Sequence, residues 1–262
     1  MNKQADKYNI VPFPKIRQPI VDALQQAKRM SVIHSLLEVD VTEARKLVRE
    51  FRNRIGEPLS FTSFLTFCLA RAVEENKIVQ AYRRGNKLII YEQVDISVVI
   101  EREISEEKAP IFPHVIKAAN QKSLTEIHNE IRGAQNEDKE LSKMIPWIKW
   151  YYYLPGFIRG LIWRTWLSSP AWRKRLTGTV GMSAIGMFGK GTGWGIPVPT
   201  YTLSITVGGI SEKAGVIGGK IEIREYLNVT ASFDHNIVDG APAARFAQRF
   251  KELIESGFGL HD

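Results

Sequence analysis

The sequence predicts a mixed α/β layer protein, on three observations. Segments with period two and period 3.6 alternate along the chain, so strands and helices are interleaved. The 262 residues are 44% hydrophobic, enough to bury a sizeable core in one large domain or two small ones. No run of about 18 apolar residues occurs, which predicts no membrane-spanning helix.

The elements follow in order. Residues 1–14 read as an extended polar arm with prolines at 12 and 14. In "KIRQPIVDALQQAKRM" (15–30), Ile16, Ile20, Ala23, Leu24 and Ala27 fall near helical spacing. Pro19 sits in the first turn, where a missing N–H costs little. "SVIHSLLEVDVT" alternates and is β-branched, so it reads as a strand. Thr42 is expected to cap the helix "EARKLVREFRNRIG", which Gly56 ends. "SFTSFLTFCLARAVEENK" is apolar enough for a buried helix. Its Cys68, the single cysteine, is expected to pack as a small hydrophobe.

"NKLIIYEQVDISVVIERE" reads as a hairpin-like pair of strands. Ser123 and Glu126 form a capping pattern ahead of "SLTEIHNEIRGAQNEDKELSK", which carries Leu124, Ile127 and Ile131 on one face. After a glycine-rich run, "YTLSITVGGISEKAG" reads as a strand and turn, and "KIEIREYLNVTASFD" as another strand. "APAARFAQRFKELIES" is a closing amphipathic helix ending at Gly257.

The net charge of +8 and the pI near 9.5 point to an anionic partner: a phosphate-bearing cofactor, nucleic acid or an anionic membrane. The positive charge is spread out and no nucleic-acid motif appears, so nucleic acid is not expected. No Cys/His cluster has metal-site spacing, so no metal is expected. "MNKQADKYNIVPFPK" has no signal-peptide core, and one cysteine cannot form an internal disulfide. The expected location is cytoplasmic, either free or peripheral at the inner membrane face.

One short motif carries chemistry. In "SFDHNIVDGAPAARF" (232–246), His235 stands where a strand gives way to a helix. Imidazole titrates near neutrality and suits proton transfer from a thiol or alcohol. Asp239 lies four residues on, and Gly240 is expected to allow a tight backbone path into the helix. On spacing alone, a turn histidine with a capping aspartate is the better explanation, because the motif is short.

"SFDHNIVDGAPAARFAQRFKELIE" resembles the C-terminal signature of the dihydrolipoyl acyltransferases, the catalytic core subunits of the 2-oxo acid dehydrogenase complexes. It is also similar to chloramphenicol acetyltransferase, which shares their fold. "KIRQPIVDALQQAKRMSVIHSLLEVDVTEARKLVREFRN" resembles the family's first helix, strand and second helix. "LSFTSFLTFCLARAVEENKIVQAYRRGNKLIIYEQVDISVVIE", "PHVIKAANQKSLTEIHNEI" and the glycine-rich "GTVGMSAIGMFG" follow in the family's order.

The resemblance implies a chloramphenicol acetyltransferase-like two-layer sandwich of mixed sheet and helices over 15–262. It implies a coenzyme A-dependent acyltransferase with His235 as general base and Ser183 as oxyanion stabiliser. Asp239 matches an aspartate that pairs with an arginine of the first helix, for which Arg17 is the candidate. Gly240 supports the site. His34 matches a position near the substrate channel, although a satisfied core histidine is the expectation for it, and Asn236 stands beside the motif histidine. His114 is expected on a strand, His128 on a helix surface and His261 in the tail.

The family forms homotrimers with active sites at subunit interfaces, so acyl-CoA and a second acceptor would meet there. Asn236 replaces the family's usual arginine. No lipoyl domain is expected ahead of the core, which leaves lipoyl delivery in trans, and the polar "ESGFGLHD" end predicts an isolated trimer. A catalytically silent scaffold is the alternative.

Residues 144–175 exceed the family's usual connection. They hold Trp147, Trp150, Trp163, Trp166 and Trp172 with six basic residues and no acidic one. Three readings stand for this insertion: a wall of the acyl pocket, a surface lying on an anionic membrane, or a helix pair packed on the trimer. Pro146, Pro155 and Pro170 break it, so it is not one spanning helix.

Overall fold

The computed structural model describes residues 8–14, 17–28, 30–56, 59–99, 113–136, 151, 153–186 and 192–261. Seven helices lie among them: α1 (Gln18–Ala27), α2 (Thr42–Ile55), α3 (Phe61–Glu75), α4 (Leu124–Asn136), α5 (Gly156–Ser168), α6 (Pro170–Thr177) and α7 (Gly240–Glu255). The eight strands are β1 (Val32–Asp40), β2 (Tyr82–Arg84), β3 (Lys87–Ile89), β4 (Ile96–Val99), β5 (His114–Ile116), β6 (Val180–Ala184), β7 (Leu203–Ile217) and β8 (Lys220–Asp234).

Six strands form one mixed sheet in the order β1-β8-β7-β6-β4-β5, while β2 and β3 form a separate hairpin. The β4–β6 and β6–β7 pairs are parallel and the others antiparallel. Period-two alternation gives this sheet two unlike faces. Ile96, Val98, Val180, Met182, Leu203, Ile205, Val229, Ala231 and Phe233 point to the helices and are buried. They pack under α3 and α7, where Phe246 meets Phe233 edge-on at 5.8 Å and stacks with Phe250. Burying a large apolar side chain contributes roughly 1.5–3 kcal/mol, so this layer holds the fold together. Cys68 is fully buried in it, and burial pushes its thiol pKa up.

The opposite face is polar. It presents Ser97, Ser183, Ser204, Thr206, Asn228, Thr230, Ser232 and His34 in cross-strand register. The segment 192–202 crosses it. Trp194 donates from Nε1 to the Leu37 carbonyl, and the Tyr201 hydroxyl donates to Ser97 Oγ. The Tyr201 ring lies so close to Gly181 that a Cβ there would stand 2.6 Å from it. Only glycine fits that crossing.

Local signals set most element ends. The hydroxyl of Ser60 accepts the Ser63 N–H at the start of α3, Ser123 and Glu126 close the expected capping box, and Gly56 ends α2 at φ 76°. Two expectations are corrected. Thr42 does not cap α2: its hydroxyl donates to Asp40 and its own N–H does the same, because the chain leaves β1 in a tight polar turn. "NKLIIYEQVDISVVIERE" is not a hairpin. β3 pairs with β2, whereas β4 lies between β5 and β6. β7 also runs further than expected, to Ile217, before turning at Gly218 and Gly219.

Of the Trp-rich insertion, the described part is a helix pair, α5 and α6. Trp147, Trp150 and Lys149 lie outside the described residues. α5 docks on α1 through Asp22, which accepts from Arg159 Nε at 2.9 Å, from the Tyr151 hydroxyl and from Gln18. Trp163 Nε1 donates to the same Tyr151 oxygen. Desolvation and the Asp22 carboxylate hold the Tyr151 phenol well above its ordinary pKa, so it stays a donor. No described helix is long and apolar enough to cross a membrane.

Candidate active site

His235 is the first residue after β8. The residue just ahead of β1 holds it by its backbone: the His235 N–H donates to the Ser31 carbonyl at 2.6 Å. Asp234, just before it, is buried and accepts from the backbone N–H groups of Ser31 and Asn236 and from the Asn236 side chain. The imidazole itself stays accessible, with its side chain 43% exposed. Its Nδ1 lies 3.6 Å from Asp239 Oδ1, too long for a hydrogen bond. Asp239 is 87% exposed there, so their attraction is screened and weak.

Ser183 lies on β6, on the polar sheet face. It is half-buried, and its hydroxyl makes no hydrogen bond among the described residues. Its hydroxyl is therefore available to an incoming acceptor. On the helix side of the same strand, Ala184 lines a cavity of about 430 Å³ with Phe61, Leu65 and Leu227, closed at one rim by the Arg45–Glu225 ion pair.

The register fixes the separation of these two groups. Ser183 pairs with Thr206 on β7, and Thr206 with Thr230 on β8, five residues before His235. Two strand spacings across and five residues along amount to roughly 19 Å. One chain does not bring Ser183 and His235 together.

Other expected site residues fall differently. Arg17 is exposed and its backbone N–H bonds Pro14, while Asp239 has its ion contact with His235, so no Arg17–Asp239 pair forms. The ion pair that α1 does make runs from its Asp22 to Arg159 of the insertion. Gly240 begins α7 with open space where a Cβ would stand and no positive φ, so it provides no tight path. Asn236 is exposed and folds back on Asp234, and Ser31 donates to it. His34 is exposed on the polar face with Nδ1 2.8 Å from Ser232 Oγ, and is not a core histidine. His128 is buried, 3.2 Å from Ser63 Oγ, and not on a helix surface. His114 lies on β5 beside Glu130 and His261 is exposed, as expected.

Asn228 and Thr230 were not anticipated. Both are fully buried, and neither side chain has a hydrogen-bond partner among the described residues. The alternation of "NVTASFD" in the sequence predicts one solvated face, whereas the structure buries both sets, so the strand is covered on both faces. Among the described residues, no group of acidic, His or Cys side chains could hold a metal.

Comparison with known proteins bears on this geometry. The sequence profile of the 2-oxoacid dehydrogenases acyltransferase (catalytic domain) family matches residues 5–142 and 175–260. The dihydrolipoyllysine-residue acetyltransferase component of the pyruvate dehydrogenase complex of Rickettsia conorii is 26% identical over 262 residues, covering 98% of this chain and 56% of that protein. The succinyltransferase component of the 2-oxoglutarate dehydrogenase complex of Bartonella vinsonii is 26% identical over 252 residues, covering 94% and 53%. The chain thus spans about half the length of the curated relatives it matches.

Two solved structures share the fold. A probable dihydrolipoamide acetyltransferase of Listeria monocytogenes superposes with a TM-score of 0.70 at 23% identity, covering 96% of this chain and 95% of that one. The Azotobacter vinelandii dihydrolipoamide acetyltransferase superposes with a TM-score of 0.74 at 18% identity, covering 99% and 96%. In that enzyme the roles of a serine, a histidine and an asparagine in the catalytic mechanism were investigated.

Proposed function

Because the chain belongs to the 2-oxoacid dehydrogenases acyltransferase (catalytic domain) family, we propose that it moves an acyl group between a coenzyme A thioester and a thiol acceptor of the dihydrolipoyl kind. His235 is the general base and Ser183 the oxyanion donor. One observation carries the assignment. The serine-to-histidine and histidine-to-asparagine separations investigated in the Azotobacter enzyme equal the separations from Ser183 to His235 and from His235 to Asp239 here. The third position differs, asparagine there and aspartate here.

The chemistry follows from the groups. His235 takes the proton of the acceptor thiol, and the thiolate attacks the thioester carbonyl carbon. The carbonyl oxygen becomes an oxyanion and accepts a hydrogen bond from the Ser183 hydroxyl. Such a donor is worth roughly 3 kcal/mol of barrier. The tetrahedral species then collapses, the C–S bond to coenzyme A breaks, and the departing thiolate takes the proton back from His235. Asp239, 3.6 Å from the imidazole, stands beyond hydrogen-bond reach of it.

Because Ser183 and His235 lie far apart in one chain, the site is completed between copies, with His235 of one facing Ser183 of the next. A homotrimer is the assembly proposed. The basic balance of +8 suits a cofactor carrying several phosphates.

His235→Ala is expected to lower thioester turnover by roughly 100-fold or more, the range of a lost general base. The assay is acyl transfer from acetyl-CoA to free dihydrolipoamide, with coenzyme A binding measured in parallel. Binding without turnover in the wild-type protein, across several acyl-CoA lengths, would instead identify a silent scaffold.

A further inference from the structure

The segment 143–174 lies outside the part of the chain matched by the family profile, and its helices carry exposed side chains the core does not use. Tyr153 and Phe157 are each 79% exposed, and Leu161, one turn beyond Phe157, is 60% exposed. On α6, Trp172 and Leu176 are exposed, with Arg175 over the Trp172 ring at 5.7 Å. From 143 to 177 the chain has no Asp or Glu.

The insertion does not stand alone. Arg173 of α6 lies over the Tyr82 ring at 4.4 Å and donates to the Thr200 carbonyl, while the Tyr91 hydroxyl donates to Pro170 O at 3.1 Å. These contacts join α6 to the β2–β3 hairpin. That hairpin is also acid-free and exposes Leu88 and Ile90 beside Arg83, Arg84 and Lys87. Those three cations, with Arg164 and Arg175, are exposed and have no carboxylate within 4.0 Å among the described residues. Adjacent elements thus combine five unpaired cations with large uncovered apolar groups, held to the fold by Asp22 and Arg173.

We propose that α5, α6 and the β2–β3 hairpin form a docking face for a bilayer surface that carries acidic phospholipid headgroups. The charge chooses among occupants. A second copy meeting this face through the same face would bring like charges together. Nucleic acid would satisfy the cations but not aliphatic Leu88, Ile90, Leu161 and Leu176. The bilayer interface takes both: headgroup phosphates meet Arg and Lys, and the aromatic and aliphatic side chains reach the acyl boundary. The protein would lie on the membrane without crossing it.

The test is sedimentation of the whole protein with vesicles of phosphatidylcholine, alone or mixed with phosphatidylglycerol. Binding is expected to the mixed vesicles and to weaken as salt is added. Arg164→Gln with Arg175→Gln should lower partitioning roughly 25-fold, about fivefold per charge removed. Phe157→Ser with Leu161→Ser should lower it while thioester turnover stays at the wild-type value. No binding to mixed vesicles, equal binding to both vesicle types, or indifference to both double variants overturns the proposal. A smaller assembly for the Phe157→Ser/Leu161→Ser variant assigns the face to a second copy. Salt-sensitive binding to a DNA duplex, lost in the arginine variant in place of vesicle binding, assigns it to nucleic acid.

Discussion

Thr230 and Asn228 have buried side chains with no hydrogen-bond partner among the described residues. An unsatisfied buried hydroxyl costs roughly 1–3 kcal/mol, so Thr230→Val, which keeps the shape and removes the group, should raise unfolding stability by about 1 kcal/mol. Urea unfolding midpoints decide the sign, and a fall would mean that the hydroxyl is bonded in the assembled molecule. The strand that ends just before His235 was legible in the sequence because its alternation is local, whereas the strand that carries Ser183 was read only as a glycine-rich run. His34 and His128 were misplaced for a common reason. What each touches is set by residues distant in sequence: His128 by the start of α3, and His34 by Ser232 across a strand pair. Nothing in the neighbouring residues announces such partners.

At the scale of elements, α5 is tied to α1 through one buried carboxylate. Asp22→Ala would leave Arg159 without its partner, a loss of about 3 kcal/mol when a buried pair is broken. Amide exchange across α5 should then quicken by roughly 100-fold while the sheet keeps its protection. The junction of β1 and α2 gives a pH prediction. Burial raises the Asp40 pKa, but hydrogen bonds from the Thr42 hydroxyl, Arg224 and the Thr42 N–H outweigh it and hold the carboxyl below its ordinary 3.8. The ionised carboxylate therefore stabilises the fold above that value. The contribution is lost as pH falls through the lower folded value. Asp40→Asn should flatten the acid limb of stability measured between about pH 5 and about pH 2. Helices and long strands were legible because their periods are local. The β3–β4 error arose because two short apolar runs carry no mark of which sheet they join.

For the whole molecule, the separation of Ser183 from His235 makes a prediction that no single-chain site shares. Ser183→Ala and His235→Ala assemblies are each expected to be nearly inactive. Co-expressed, they should recover about a quarter of wild-type turnover, since a random mixture places an intact serine opposite an intact histidine at that frequency in a cyclic assembly. No recovery would mean that both groups act within one chain. The mixed sheet was foreseeable as a class. Its strand order was not, because β1 finds β8 across nearly the whole chain.

That pairing also governs the order in which the molecule can be made. β8 lies between β1 and β7, and Val32 meets Asp234 while Asp40 meets Tyr226. During synthesis β1 emerges early and has no strand to join until β8 is complete. A chain that stops near residue 220 leaves one strand stranded outside the sheet with its backbone groups open. Contacts of such long sequence separation are slow to form. Closing of the sheet therefore waits until β8 has been made, and a product arrested before it would be a target for chaperones.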